Sequence, residues 1–236
     1  RNLTESLHKI NEKSVANSMV LEETNDEEVM EIIMSLKNSS AGVDGIKAIH
    51  IKEIANEITP YLVHLINEMM KQGIYPKAFK TAIVTPINKS GKMNEIGDYR
   101  PVSVLTTFNK IAEKVIYKRL TNFTDGYLKI IYNHQYGFRK RPGTETAALE
   151  MINYVQMALD KKKKVSLVFM DLKRAFDIVD MNKLSLTLSN YGVRGQALKL
   201  IEDYLSCRQQ VVKINGMISS SITFTQGVVQ GSILGS

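Results

Sequence analysis

Apolar positions along this chain recur with two periods, and each change of period marks an element boundary. Val29, Ile32, Ile33 and Leu36 lie at helical spacing. Thr24 and Glu27 ahead of them have capping-box spacing, and Lys37 suits the C-terminal end of the helix dipole. NSSAGVDGI (38–46) interrupts the pattern with turn formers, and a second helical stretch follows over about 46–58. Thr59 is expected to cap a third helix, with Pro60 at its first position and Gly73 as its stop. KTAIVTPINKSG then reads as a strand ending in a basic turn that carries Lys89 and Lys92. After GDYRPVSVL, one face of a long amphipathic helix is lined by Ile111, Val115, Ile116, Leu120 and Phe123. The basic loop QYGFRKRPGTE (135–145) opens a helix to about Asp160, and further helices are predicted near 182–191 and 196–205. The alternation in RQQVVKING and SSITFTQGVVQG predicts a β-hairpin turning at Asn215-Gly216. Residues 1–21 are polar and unpatterned, as in a linker or part of a neighbouring element.

One stretch departs from both periods. In VSLVFMDLKRAFDIVD, five of the six residues from Val165 to Met170 are apolar, as in a strand buried on both faces, and the run ends on Asp171. A carboxylate at the end of a buried strand is held rigidly beside a dry core, which suits a metal ion and the phosphates it carries. The same pattern also describes a strand whose terminal Asp caps the next helix.

Composition narrows the options. At 236 residues, 44% hydrophobic and 23% charged, the chain is one large domain or two small ones with an ordinary core. A single cysteine, Cys207, excludes an internal disulfide framework and fits a reducing compartment, nucleus or cytoplasm. His8, His50, His64 and His134 are too scattered for a Cys/His zinc site. No run approaches the roughly 18 apolar residues of a membrane helix. The net charge of +7 is uneven: residues 1–40 carry four basic and eight acidic groups, leaving 27 basic and 16 acidic beyond them. A basic body of net +11 favours a polyanionic partner, since neutralised phosphates release counterions. Lys161–Lys164 is either a solvated helix end or a localisation or nucleic-acid contact.

Several stretches together resemble the reverse transcriptase of non-LTR retrotransposons of the jockey type, over about 38–236. AGVDGI is similar to the family's PGPDGI-type loop, and TPINKSG with DYRPVSVL to its finger-region blocks. QYGFRKRPGTETA resembles its QFGFR block, FMDLKRAFDIVD the block with the first catalytic aspartate, and GVVQGSILGS the GVPQGSVLGP block. The resemblance implies template-directed addition of dNTPs to a DNA primer on an RNA template, with two Mg2+ ions stabilising attacking and leaving oxygens. It makes Asp171 a catalytic metal ligand, with the Leu172 main-chain carbonyl as a second oxygen ligand. Phe176 takes the place of the aromatic that excludes a 2′-hydroxyl. Lys89 and Arg100 take those of the basic residues that hold the triphosphate. Gln230 and Gly231 match the block against the nascent base pair, with Val229 where the family usually has proline. Asp177 is either part of the acidic block or a helix-side ion-pair residue. Arg139 and Lys140, beside Tyr136 and Phe138, either touch template or belong to a surface loop anchored by its aromatics.

The implied fold is α+β, the fingers and first part of the palm of a right-hand polymerase. Residues 1–24 would be a linker or N-terminal extension, 25–164 mainly fingers, and 165–205 the first part of the palm. Residues 206–229 would be a hairpin of the fingers, and 230–236 the start of the return to the palm. The family's second acidic hairpin, its thumb and two palm strands are expected after Ser236, so these 236 residues alone are expected not to polymerise and to leave an unpaired sheet edge. The alternative is a non-catalytic RNA-binding remnant of the same fold.

Overall fold

The computed structural model describes residues 15–89, 91, 95–129, 131–139, 143–172 and 175–235. The chain forms two compact units, one of Arg1–Leu120 with Ala175–Ser236 and one of Thr121–Arg174.

In the larger unit, α1 (Asp26–Ser35) buries Val29, Ile32 and Ile33, the stripe expected from sequence. Its cap is Asn25 rather than Thr24: the Asn25 side chain accepts from the Glu28 amide at 2.9 Å. Asn caps at least as well as Thr, and Thr24 is engaged elsewhere, its amide donating to Asn67 Oδ1 (2.8 Å) and its hydroxyl to Glu28 Oε2 (2.7 Å).

The expected second and third helices are redistributed. A short α2 (Ala48–Glu53) is followed by a long α3 (Ala55–Gln72) that runs through Pro60. The reason is a continuous buried stripe, Ala55, Thr59, Leu62, Ile66 and Met69, which crosses the proline at intervals of four and three residues. Pro60 itself faces solvent, and Thr59, instead of capping, donates its hydroxyl to the Ala55 carbonyl (2.6 Å). Gly73 stops the helix as expected, at φ 64°; a Cβ there would lie 2.9 Å from side-chain atoms of Gln196 and Lys199.

Among the described residues five strands form one sheet: β1 (Thr81–Asn88), β2 (Tyr99–Val104), β3 (Gln209–Ile214), β4 (Met217–Ile218) and β5 (Ile222–Thr223). β1 pairs antiparallel with β2 and parallel with β3, so the finger-region strands and the late hairpin share a sheet. The β3–β4 turn falls at Asn215 (φ 50°) and Gly216 (φ 83°), the two-residue loop expected there. Directly after β2, α4 (Thr107–Thr121) enters the core with Ile111, Ala112, Val115 and Ile116 almost fully buried. α6 (Met181–Asn190) and α7 (Gln196–Leu205) complete the unit.

Residues 15–24, read from sequence as linker or extension, are bonded to this body. The Val15 and Met19 amides donate to the Asn190 and Gly192 carbonyls (2.9 and 2.8 Å), and the Arg194 guanidinium donates to the Val15 carbonyl (2.6 Å).

The smaller unit holds a π-helical turn at Asn122–Leu128, which takes Phe123 off the α-helix, and α5 (Thr144–Asp160), which is present as expected. The expected buried strand at Val165–Met170 is not formed; Val168, Phe169 and Met170 are 79–92% exposed. A strand requires a neighbour for its backbone groups, and none of the strands among the described residues pairs with this segment. Among the described residues no helix is long and apolar enough to cross a membrane.

Candidate functional site

Three stretches that are distant in sequence meet in the larger unit. The loop at 226–231 is tied to the segment after the smaller unit by two backbone bonds, from the Gly227 amide to the Val179 carbonyl (2.9 Å) and from the Val228 amide to the Phe176 carbonyl (2.8 Å). Gly227 adopts φ 86°, and a Cβ on it would sit 2.9 Å from the carbonyl oxygens of Phe176 and Asp177, so the approach requires glycine. On its other side the loop meets β2, where the Ser103 amide donates to the Gln230 carbonyl (3.1 Å). Gly231, at φ 106°, would place a Cβ 2.9 Å from the Ser103 carbonyl oxygen.

A cavity of about 200 Å3 lies between them. Its apolar lining includes Ala82, Val84, Pro101, Phe224 and Val229; its polar groups are Ser103, Gln210, Gln226, Gln230 and Asp177. Amides, a hydroxyl and one carboxylate suit the hydrogen-bonding edge of a neutral polar ligand rather than a phosphate. Val229 is buried with Ala82 and Leu105. Its carbonyl accepts the Ser232 amide (3.2 Å) and hydroxyl (2.9 Å), so this turn closes without a proline.

Both cations assigned to phosphate lie on the β1–β2 hairpin. The Lys89 amide extends the ladder to the Asp98 carbonyl (2.8 Å), and Lys89 Nζ donates to the Gly97 carbonyl (3.3 Å). Arg100 is exposed and stands opposite Ile87, out of phase with Pro101 and Ser103, so it projects from the face of the ladder away from the cavity. Phe176, Gln230 and Gly231 are thus brought together, with Lys89 and Arg100 on the strands beside them.

Asp171 and Leu172 are exposed and belong to the smaller unit, as does the half-buried Arg139, next to Phe138 at φ 60°. In that loop His134 pairs with Glu150 (2.8 Å) and packs near the rings of Tyr132 and Tyr136. Lys92 and Lys140 lie outside the described residues. Asp180 caps α6, accepting from the Asn182 and Lys183 amides (2.9 and 3.1 Å). Among the described residues no three His, Cys, Asp or Glu side chains cluster as a metal site. One exposed carboxylate fits an ion that takes one or two protein carboxylates and completes its shell with substrate phosphates and water.

Beneath the loop is a buried polar network with no counterpart in the reading from sequence. Glu113, fully buried on α4, accepts from the Tyr204 hydroxyl and from the Ile233 amide, both at 2.7 Å. The Arg208 guanidinium lies 4.5 Å from the Tyr204 ring centroid and donates to the Tyr204 carbonyl (3.0 Å). Burial, then the neighbouring carboxylate, pushes the Tyr204 phenol far up, so it remains a donor. Nearby, Asp203 accepts from the Tyr75 amide (2.6 Å) and pairs with Lys80 (3.1 Å). One signal was available: Glu113 stands four residues after Asn109 and three before Ile116, on the inward face of the helix.

Comparison with known proteins identifies the family. Residues 87–236 match the family model described as reverse transcriptase (RNA-dependent DNA polymerase). The chain is 32% identical over 211 residues to the RNA-directed DNA polymerase from mobile element jockey of Drosophila funebris, with 89% of this chain and 23% of that protein aligned. It is 30% identical over 217 residues to the probable RNA-directed DNA polymerase from transposon BS of Drosophila melanogaster, again covering 89% of this chain and 23% of that protein. A Pol polyprotein from the type-1 retrotransposable element R2 of Popillia japonica is 22% identical over 209 residues, 88% of this chain and 28% of that protein. The chain therefore spans about a quarter of the length of these relatives. With 150 of its 236 residues inside the family model, the chain belongs to the reverse transcriptase family.

Proposed function

We propose that the chain is the fingers and first palm segment of an RNA-directed DNA polymerase of a non-LTR retrotransposon, which adds dNTPs to a DNA primer or nicked target on an RNA template. The observation that carries this reading is the junction at Gln230–Gly231. It joins the Phe176 segment to the strand bearing Arg100 through backbone contacts that require glycine at 227 and 231. The sugar and base of a nucleotide need such a junction: an aromatic edge for the sugar, and a close backbone with amides for the base.

In this reading the primer 3′-hydroxyl attacks the α-phosphate, and pyrophosphate leaves. Mg2+, the ion we assign, would be held by Asp171 and the Leu172 carbonyl, and would supply Lewis-acid stabilisation of the oxygens that gain charge. Lys89 supplies a flexible point charge and Arg100 a planar fork to the leaving phosphates. Gln230 offers donor and acceptor to the base or sugar at the mouth of the cavity, and Phe176 limits space at the sugar C2′. Arg139 and Lys140 are assigned to template phosphate.

Primer extension by the complete gene product, with RNA template, DNA primer and dNTPs, tests the reading. Extension is expected for the unmodified protein, and Asp171→Asn is expected to lower it by more than about tenfold, roughly 1.4 kcal/mol of barrier. A smaller loss removes Asp171 from the metal site.

A further inference from the structure

We propose that Glu113 is a positioning residue for the nucleotide site: from inside the core its carboxylate sets the place of the Gln230–Gly231 turn by holding the Ile233 amide. The assignment rests on the polymerase reading above and names a part of that site which touches no substrate.

Glu113 is fully buried, and a carboxylate at such a place is strongly disfavoured by desolvation unless its oxygens are satisfied. Both are used, Oε1 by the Tyr204 hydroxyl and Oε2 by the Ile233 amide. Neither bond is needed to fold α4, which has Ile111, Ala112, Val115 and Ile116 in the core. Neither is needed to close the turn, which Ser232 closes on Val229 and Gly235 (2.9 and 3.0 Å). What the carboxylate adds is a fixed acceptor for the amide three residues after Gln230.

Its own orientation is set in turn. Tyr204 is pinned through its ring and carbonyl by Arg208, and its hydroxyl holds one carboxylate oxygen. On the other side of the turn, Ser103 holds the Gln230 carbonyl. Ser103 and Glu113 lie ten residues apart on β2 and α4, which only Leu105 and Thr106 separate. β2 and the turn with Gln230 are therefore referenced to one short stretch of chain, so the base-side amide keeps a fixed place against the β1–β2 ladder.

The test is steady-state primer extension by the complete gene product, reading KM for dNTP and kcat separately, with a thermal midpoint for each variant. Glu113→Ala is expected to raise KM about tenfold with kcat within about threefold of the unmodified enzyme. Glu113→Gln can still accept from Ile233 and donate to the Tyr204 oxygen, and is expected to restore KM to within about twofold. A role in folding alone would lower the midpoint and leave KM unmoved, and that result overturns the assignment; so does a Glu113→Gln enzyme as impaired as Glu113→Ala. If Glu113→Ala does not fold, Tyr204→Phe decides: it keeps the ring, removes one of the two bonds to the carboxylate, and is expected to raise KM about threefold. An unchanged KM in Tyr204→Phe then overturns the assignment. Extension with unmoved KM removes Glu113 alone, whereas no extension by the unmodified protein removes the polymerase reading and this assignment with it.

Discussion

Phe176 is half-buried, and its carbonyl is taken by the Val228 amide, so its backbone cannot retreat from a ligand at the loop without breaking the junction. If the ring limits space at C2′, Phe176→Val should lower the preference for dNTP over rNTP by at least about tenfold, the scale on which a steric contact discriminates. Parallel incorporation assays with the two nucleotide types measure this. Gly231 makes a sharper claim about backbone. At φ 106°, with the Ser103 oxygen 2.9 Å from where a Cβ would stand, Gly231→Ala must strain or displace the turn. A loss of about 1–3 kcal/mol in unfolding free energy is expected by denaturant titration. At this scale the sequence was legible where backbone geometry fixes the residue type, as in the close approach at Gly231. For Glu113 it offered only helical spacing, because a charged residue inside a helical pattern reads as solvent-facing until its partners at 204 and 233, about ninety residues or more away, are known.

Elements were legible in proportion to how local their causes are. α1, α5, α6 and α7, strand β1 and the Asn215-Gly216 turn follow from periodicity and turn chemistry within a few residues, whereas β2 carried no such pattern. Where long-range packing competes with a local signal, packing won. Asn25 took the cap because Thr24 was drawn to Asn67, and the buried stripe of α3 overrode Pro60. The apolar run at 165–170 failed in the opposite way: its pattern is a strand's, but strand formation depends on a partner that periodicity cannot see. Pro60 yields a direct check. It is exposed at the sixth residue of α3, where it withholds a helix hydrogen bond without contributing to the core. Pro60→Ala should therefore stabilise the protein by about 1–3 kcal/mol, read as a higher denaturant midpoint at unchanged slope. An unchanged or lower midpoint would mean that the helix start depends on the proline.

Across the whole molecule, a buried ion pair links the acidic N-terminal region to the basic body. Glu28 on α1 accepts from two guanidinium nitrogens of Arg119 on α4 (2.7 and 2.5 Å), with both side chains about nine-tenths buried. Arg119 also donates to the Glu22 and Glu23 carbonyls (2.9 and 3.1 Å), which fastens the residues ahead of α1. The Arg119 hydrogen bonds, against an opposing cost of burial and helped by Thr24 and Lys118, pull the Glu28 carboxyl from an ordinary 4.5 down to about 2. A folded-state value below the unfolded one means that the unfolded chain binds the proton first as pH falls. The stabilisation is therefore complete above about pH 4.5 and is lost progressively as pH drops through 2. A shift of this size corresponds to about 3 kcal/mol. Unfolding free energies of the unmodified protein between pH 6 and 2 should fall by about that amount more than those of Glu28→Gln. The variant itself should start about 3–5 kcal/mol lower at neutral pH, because Arg119 is left buried without its partner. Parallel pH profiles would place the pair at the exposed-pair level of about 0–1 kcal/mol and detach the N-terminal region from the stability of the body.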